Sequence, residues 1–194
     1  MKRDSVDKIF YYLDNITQAE EVVISDKLNR DYSCPEGCGG CCFKVTLDYI
    51  EGSERWEKFK SLYPDKIKDF KLRQVKGVNI WSDLQEENSG NYCKHLDPTN
   101  GRCNIHEANP FPCAFDLIKV IYNKGTKKTN ILVRKHGRGW GYKRVDGQIG
   151  AKCEMLETKD QVPNHYKMLA ELKQIGEKFG YSINLNTTMP TVQE

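Results

Sequence analysis

A chain of 194 residues is long enough for one ordinary domain to bury its own apolar core. Apolar residues make up 38% and charged residues 29%, a soluble, globular balance, and no run of about 18 apolar residues could span a bilayer. The 30 basic and 27 acidic residues leave a net charge of +3, which does not by itself argue for nucleic acid.

The N-terminal residues Met1 to Ser5 lead into an acidic amphipathic stretch with no continuous apolar segment of the kind a secretory leader needs. The expected compartment is therefore the reducing cytoplasm, with no membrane contact. Val6, Ile9, Phe10, Leu13 and Ile16 recur at helical spacing and predict an amphipathic helix over about 4–19. Val22-Val23-Ile24 is a short apolar run that suits a strand or a helix equally. Residues 29–42 form a cysteine loop, and Val45, Leu47 and Ile50 lead away from it. Trp56, Phe59 and Leu62 predict a second helix, which Pro64 interrupts or restarts before Ile67 and Phe70.

Val78 to Trp81 predicts a short strand, and the polar, acidic stretch from Asp83 to Tyr92 a loop. Asp97-Pro-Thr-Asn-Gly101 is a turn. Beyond it, Phe115–Tyr122 and Thr129–Arg134 are β-rich runs joined by a hairpin loop at Asn123–Lys128, and Gly139–Val145 adds a third strand. Pro163 opens a helix to about Phe179, with Tyr166, Leu169, Leu172, Ile175 and Phe179 on one face and Gly180 as its stop.

The predicted fold is α+β. It is a small single domain over 1–185 with a cysteine-ligated metal centre, a β-hairpin or small antiparallel sheet, and flanking helices. Its cysteine cluster occupies 33–115, its β-rich part 115–146 and its last helix 160–180, with a polar tail at 186–194.

Eight cysteines, at 34, 38, 41, 42, 93, 103, 113 and 153, carry the chemistry. In a cytosolic chain, clustered thiols read as metal ligands or redox groups rather than structural disulfides. The first group is Cys34-Pro-Glu-Gly-Cys38-Gly-Gly-Cys41-Cys42, a loop that buries too little apolar surface to stabilise itself by packing. The second is Cys93-x9-Cys103-x9-Cys113. Thiolates are soft ligands suited to zinc or to iron–sulfur clusters, and a closed structural site needs about four.

Together the two groups resemble the YkgJ-type cysteine-cluster family of zinc- or iron-chelating proteins. The matching positions are Cys34, Cys38, Cys41 and Cys42, then Cys93-Lys-His-Leu96-Asp97, Cys103-Asn-Ile105-His106 and Asn109-Pro110-Phe-Pro-Cys113. His106 stands where the family usually has Tyr, and Asn109 where it usually has Arg. The same cysteine motif is similar to that of flagellin lysine-N-methylases, so the resemblance implies metal binding first and protein methylation as a further expectation.

Adjacent side chains at Cys41 and Cys42 point in different directions, so the pair does not read as one chelating unit. Cys34, Cys38 and Cys41 are expected to share a centre with a cysteine of the second group, Cys113 first among them. Cys42, Cys93, Cys103 and Cys153 complete the candidate metal ligands. The surplus implies either two centres, or one centre plus redox-active or packed thiols, and for Cys153 packing and ligation weigh evenly. Zinc prefers two CxxC-like pairs, whereas three close thiols and a distant fourth suit a [4Fe–4S] cluster better, so the spacing favours the cluster over zinc.

The C-x3-C-x2-C spacing is also similar to that of radical S-adenosylmethionine enzymes. Against that reading, Gly40 rather than an aromatic precedes Cys41, no Gly-Gly-Glu segment follows, and the C-terminal part lacks alternating βα units. S-adenosylmethionine is thus a minor cofactor candidate.

His95 and His106 lie among the second cysteines and read as surface or hydrogen-bonded residues rather than ligands. The stretch 117–145 carries nine Lys or Arg and no acid, with Tyr122, Trp140 and Tyr142 interleaved. Lys127, Lys128, Arg134, Lys135 and Arg138 are its candidate nucleic-acid or anion contacts, weighed against a solvated face balanced by acids elsewhere. No Ser/His/Asp set or phosphate loop can be assembled, and no residue is assigned a catalytic role.

Two functions follow. The first is a [4Fe–4S] protein with a redox or protein- or peptide-modifying role and a protein or peptide partner. The alternative is a zinc-stabilised, non-catalytic module that uses the basic hairpin to hold nucleic acid or an acidic partner.

Overall fold

The computed structural model of the chain describes residues 6–25, 31–33, 46–83, 93–97, 99–115, 118–133, 156–158 and 164–185. The predicted first helix is α1 (Val6–Thr17), and all five of its predicted apolar positions are buried. The C-terminal helix is α4 (Asn164–Lys178), ended by Gly180 at φ +78. Leu169, Leu172 and Ile175 on α4 are buried against the same core as Leu13 and Ile16 of α1. Three-residue and four-residue spacing in both helices aligns these stripes.

The run at 22–24 resolves as strand β1 (Glu21–Ile24). Two short strands, β2 (Asp31–Ser33) and β8 (Leu156–Thr158), pair antiparallel with Ser33 opposite Leu156. Strand β3 (Leu47–Ile50) is followed by α2 (Glu54–Leu62), whose first turn is capped by the Ser53 hydroxyl accepting from the Trp56 amide at 3.3 Å. Pro64 restarts the helix as a 3-10 segment over Pro64–Asp69, as its fixed φ permits.

Strand β4 (Lys71–Val75) and strand β5 (Val78–Asp83) then form a hairpin closed by Lys76 and Gly77. Both turn residues have positive φ, at 48 and 80, the backbone of the two-residue turn that matches strand twist. Strand β6 (Ile118–Asn123) and strand β7 (Lys128–Val133) form the predicted hairpin, in register from Ile118 opposite Val133 to Asn123 opposite Lys128.

The expected hairpin is present, and β1 extends it into a mixed sheet by joining the far side of β7 in parallel, with Glu21 opposite Lys128. A parallel partner needs a long crossover and leaves no local turn signal, so periodicity does not reveal it. The expected strand at 139–145 and the tail at 186–194 lie outside the described residues.

The sheet ordered β3-β5-β4 separates two apolar clusters. Side chains alternate across a strand, so Ile50 and Ile80 face the α1/α4 core. Leu47, Tyr49 and Trp81 face a second cluster built on Trp56 and Phe59 of α2 and on Phe70. Between the two, the buried Asp48 carboxylate accepts from the Val6 amide at 2.8 Å and from the Ser82 hydroxyl at 2.5 Å, and pairs with Arg73. That bond neutralises the positive end of α1 and ties it to the sheet. The architecture is α+β, and no helix among the described residues is long and apolar enough to cross a membrane.

Candidate metal centre

Cys93, Cys103 and Cys113, spaced ten positions apart in sequence, are gathered at the second apolar cluster. Cys93 is buried at 7% exposure, and Cys103 and Cys113 are half-buried. Local hydrogen bonding dictates the path between the first two. The Leu96 amide donates to the Cys93 carbonyl at 3.0 Å, and the Asp97 amide to the Arg102 carbonyl at 2.8 Å. Leu96 and Cys103 form an isolated antiparallel bridge.

The predicted turn at 97–101 caps this small loop. Asp97 accepts from the Thr99 amide at 2.8 Å, from the Thr99 hydroxyl at 2.6 Å and from the Asn100 side-chain amide at 2.8 Å. These bonds hold its carboxyl below the usual carboxylate range. A 3-10 turn over His106–Ala108 then leads to the short helix α3 (Phe111–Ala114), where the Cys113 amide donates to the Pro110 carbonyl at 3.1 Å.

The wall of the cluster is aromatic. Trp56 stacks on Phe59 and on Trp81 at centroid separations of 5.6 and 5.2 Å, and Tyr49 lies 4.9 Å from Phe59 and 5.3 Å from Trp56. Tyr49 Oη donates to the Ala108 carbonyl at 2.6 Å, between Cys103 and Cys113. Burial pushes the Tyr49 pKa far above the ordinary phenol value, and the negative charge of Cys113 and Cys103 pushes it the same way, with Arg55 opposing. Tyr49 is therefore a fixed, protonated donor.

His95, read as a surface or hydrogen-bonded residue, is not at the surface: it is 4% exposed and lies beside Asp83 at the end of β5. Its Nε2 lies 3.7 Å from Asp83 Oδ2, and Lys94 Nζ lies 2.7 Å from the same oxygen. Burial raises the Asp83 pKa, but His95 and Lys94 outweigh it and hold the carboxylate below its ordinary value. His106 is exposed, as expected. Asp83 was read as the start of a loop; it is the last residue of β5 and is buried. Its single charge after an apolar strand resembles a solvent-facing residue, so sequence alone did not single it out.

Asn109 sits opposite an arginine from elsewhere in the chain. Arg55 of α2 donates through Nη1 to Asn109 Oδ1 at 2.8 Å and grips Glu171 of α4 in a two-pronged ion pair at 2.5 and 2.7 Å. This clamp borders an open groove of about 630 Å³ between α2 and α4.

The donor chemistry suits zinc or iron: Cys93, Cys103 and Cys113 all border one aromatic cluster, and thiol sulfur is a soft ligand. Among the described residues no group of three or more His, Cys, Asp or Glu is placed to hold a metal. Cys34, Cys38, Cys41, Cys42 and Cys153 lie outside the described residues.

On the basic hairpin, Lys127 pairs with Glu20, and Lys128 with Glu21 at 2.5 Å, so these two acids offset both charges. Arg134, Lys135 and Arg138 lie outside the described residues.

No curated protein and no solved structure matches the chain. The family model CxxCxxCC, described as "Putative zinc- or iron-chelating domain", matches residues 33–136, which is more than half of the chain and includes seven of its eight cysteines. The chain thus belongs to the CxxCxxCC family of zinc- or iron-chelating domains.

Proposed function

We propose that this chain is a cytoplasmic metal protein whose centre is a [4Fe–4S] cluster held by Cys34, Cys38 and Cys41 together with Cys113. Its role on this reading is redox chemistry or the modification of a protein or peptide partner. The observation that carries it is the convergence of Cys93, Cys103 and Cys113 on one apolar cluster, in a chain with a tight thiol loop of its own. Three close thiols and a distant fourth suit a four-iron cluster better than the paired spacing of zinc sites.

A bound cluster would supply one-electron transfer. The chain's own residues supply the surroundings. Trp56, Phe59 and Phe70 belong to the cluster that buries Cys93 and half-buries Cys103 and Cys113, and the low local dielectric strengthens electrostatic interactions at the sulfurs. Tyr49 stays protonated and spends its proton on the Ala108 carbonyl, which fixes the turn between Cys103 and Cys113 without offering a competing base.

The β2–β8 ladder supports the candidacy of Cys153 as a donor. Ser33, which immediately precedes Cys34, is paired with Leu156, three residues beyond Cys153. The two thiols are thus separated from a shared pair of backbone residues by one and three positions.

The test is metal and acid-labile sulfide analysis of anaerobically purified protein, with its visible spectrum. Iron and sulfide in equal amounts with broad thiolate-to-iron absorbance support the proposal. A colourless protein with stoichiometric zinc and no iron sinks it.

A further inference from the structure

The two residues that follow Cys93 share one partner. Lys94 Nζ is 2.7 Å and His95 Nε2 3.7 Å from Asp83 Oδ2, and Lys94 also reaches Asp69 Oδ2 at 3.2 Å. Asp83 is the terminal residue of β5 and 4% exposed, and it pairs in register with Leu47 on the face that carries Tyr49 and Trp81. An ionised carboxylate among aromatic rings is expensive to bury, and an apolar residue of similar size is often as stable or more so at such a position. Its partners here are the two side chains immediately after a thiol. The grip continues through the backbone: the His95 carbonyl accepts from the Asn104 amide at 2.8 Å, and Leu96 bridges Cys103. A line of contacts thus runs from Asp83 through Lys94 and His95 to the segments that carry Cys93 and Cys103.

We infer that Asp83 is a positioning residue for the metal centre: through Lys94 and His95 it holds the segment that carries Cys93 and bridges Cys103, and so keeps the second cysteine group in the place from which it contributes a ligand. The inference rests on the metal-binding reading and adds a residue that lies outside the cysteine motif. Residues that orient metal ligands without touching the metal typically change metal affinity by about 10–100-fold when replaced.

Asp48 supplies the matched control. It is equally buried, lies on the neighbouring strand of the same sheet, and faces the α1/α4 side, where it binds Val6, Ser82 and Arg73 rather than the cysteine segment.

The experiment measures zinc affinity of the reduced full chain by competition with a chromophoric chelator, and records the thiolate charge-transfer band of the cobalt-loaded protein. Asp83→Asn is expected to weaken zinc binding by about 10–100-fold and to shift the cobalt band. Lys94→Met, at a side chain 38% exposed, is expected to weaken it less and in the same direction. Asp48→Asn is expected to lower thermal stability and leave both the affinity and the band unchanged. Unchanged affinity in a folded Asp83→Asn protein overturns the inference, and so does an equal loss in Asp48→Asn. Should Asp83→Asn not fold, unchanged affinity in Lys94→Met overturns it. A wild-type chain that binds neither zinc nor cobalt and takes up no iron on anaerobic reconstitution defeats the metal reading itself, and this inference with it.

Discussion

Tyr49 Oη and the Ala108 carbonyl, 2.6 Å apart, lock strand β3 onto the turn between Cys103 and Cys113. The bond is buried, so its removal leaves a carbonyl without water to replace the phenol. Tyr49→Phe is expected to cost about 1–3 kcal/mol of stability, read from urea unfolding of the metal-free protein. A midpoint equal to that of wild type would show that the turn is held by packing alone.

The loop between Cys93 and Cys103 carries an acid-sensitive latch. Thr99 and Asn100 hydrogen bonds depress the folded-state pKa of Asp97 below its ordinary value of 3.8. A depressed carboxylate contributes stability that is complete above that ordinary value and is lost as pH falls through the lower folded midpoint. An NMR titration should place the Asp97 midpoint below 3.8 in the folded protein, and Thr99→Val should move it upward. A midpoint at the ordinary value in the wild type would remove the latch.

Much of the fold was legible because it is periodic. The stripes of α1 and α4 and the β6–β7 hairpin show on one strand of sequence each. Strand β3 was not legible: all four residues, Leu47 to Ile50, are buried because the sheet is covered on both faces, so no alternation marks it. Strand β4 was missed for the opposite reason, since Lys71, Leu72 and Gln74 are exposed at a sheet edge and present no apolar run. At the site, spacing identified the thiols, but it carried no sign of Asp83 or Tyr49. Those residues approach Cys93 and Cys113 only through long-range strand pairing. The burial of His95 was not legible, because its polar neighbours Lys94 and Asp97 gave no hint of it.

The basic hairpin is expected to be a solvated face. Glu20 and Glu21 sit against Lys127 and Lys128, so the phosphate-binding charge is offset. No salt-sensitive binding of single-stranded RNA or DNA is expected at low salt. The exposed pairs themselves contribute at most about 1 kcal/mol, so Lys127→Ala with Lys128→Ala should barely move the unfolding midpoint. Nucleic-acid binding that falls steeply with added salt would reverse this reading.

Cys153 is expected to contribute to the centre. Pairing sets Ser33, immediately before Cys34, opposite Leu156, three residues after Cys153. In Cys153→Ser, iron content after anaerobic reconstitution should fall and thermal stability of the loaded protein should drop with it. Full iron content and unchanged stability would return Cys153 to the role of a packed thiol.

The central claim is that the metal is held jointly by the 34–42 loop and the second cysteine group. It is tested most directly by iron and acid-labile sulfide content of Cys34→Ser and Cys113→Ser, purified anaerobically side by side with wild type. Joint ligation predicts that each single substitution strips most of the cluster and its visible absorbance. If Cys113→Ser, and likewise Cys93→Ser and Cys103→Ser, keep the wild-type iron and sulfide while Cys34→Ser loses them, the loop binds metal without the second group, and the joint site is contradicted.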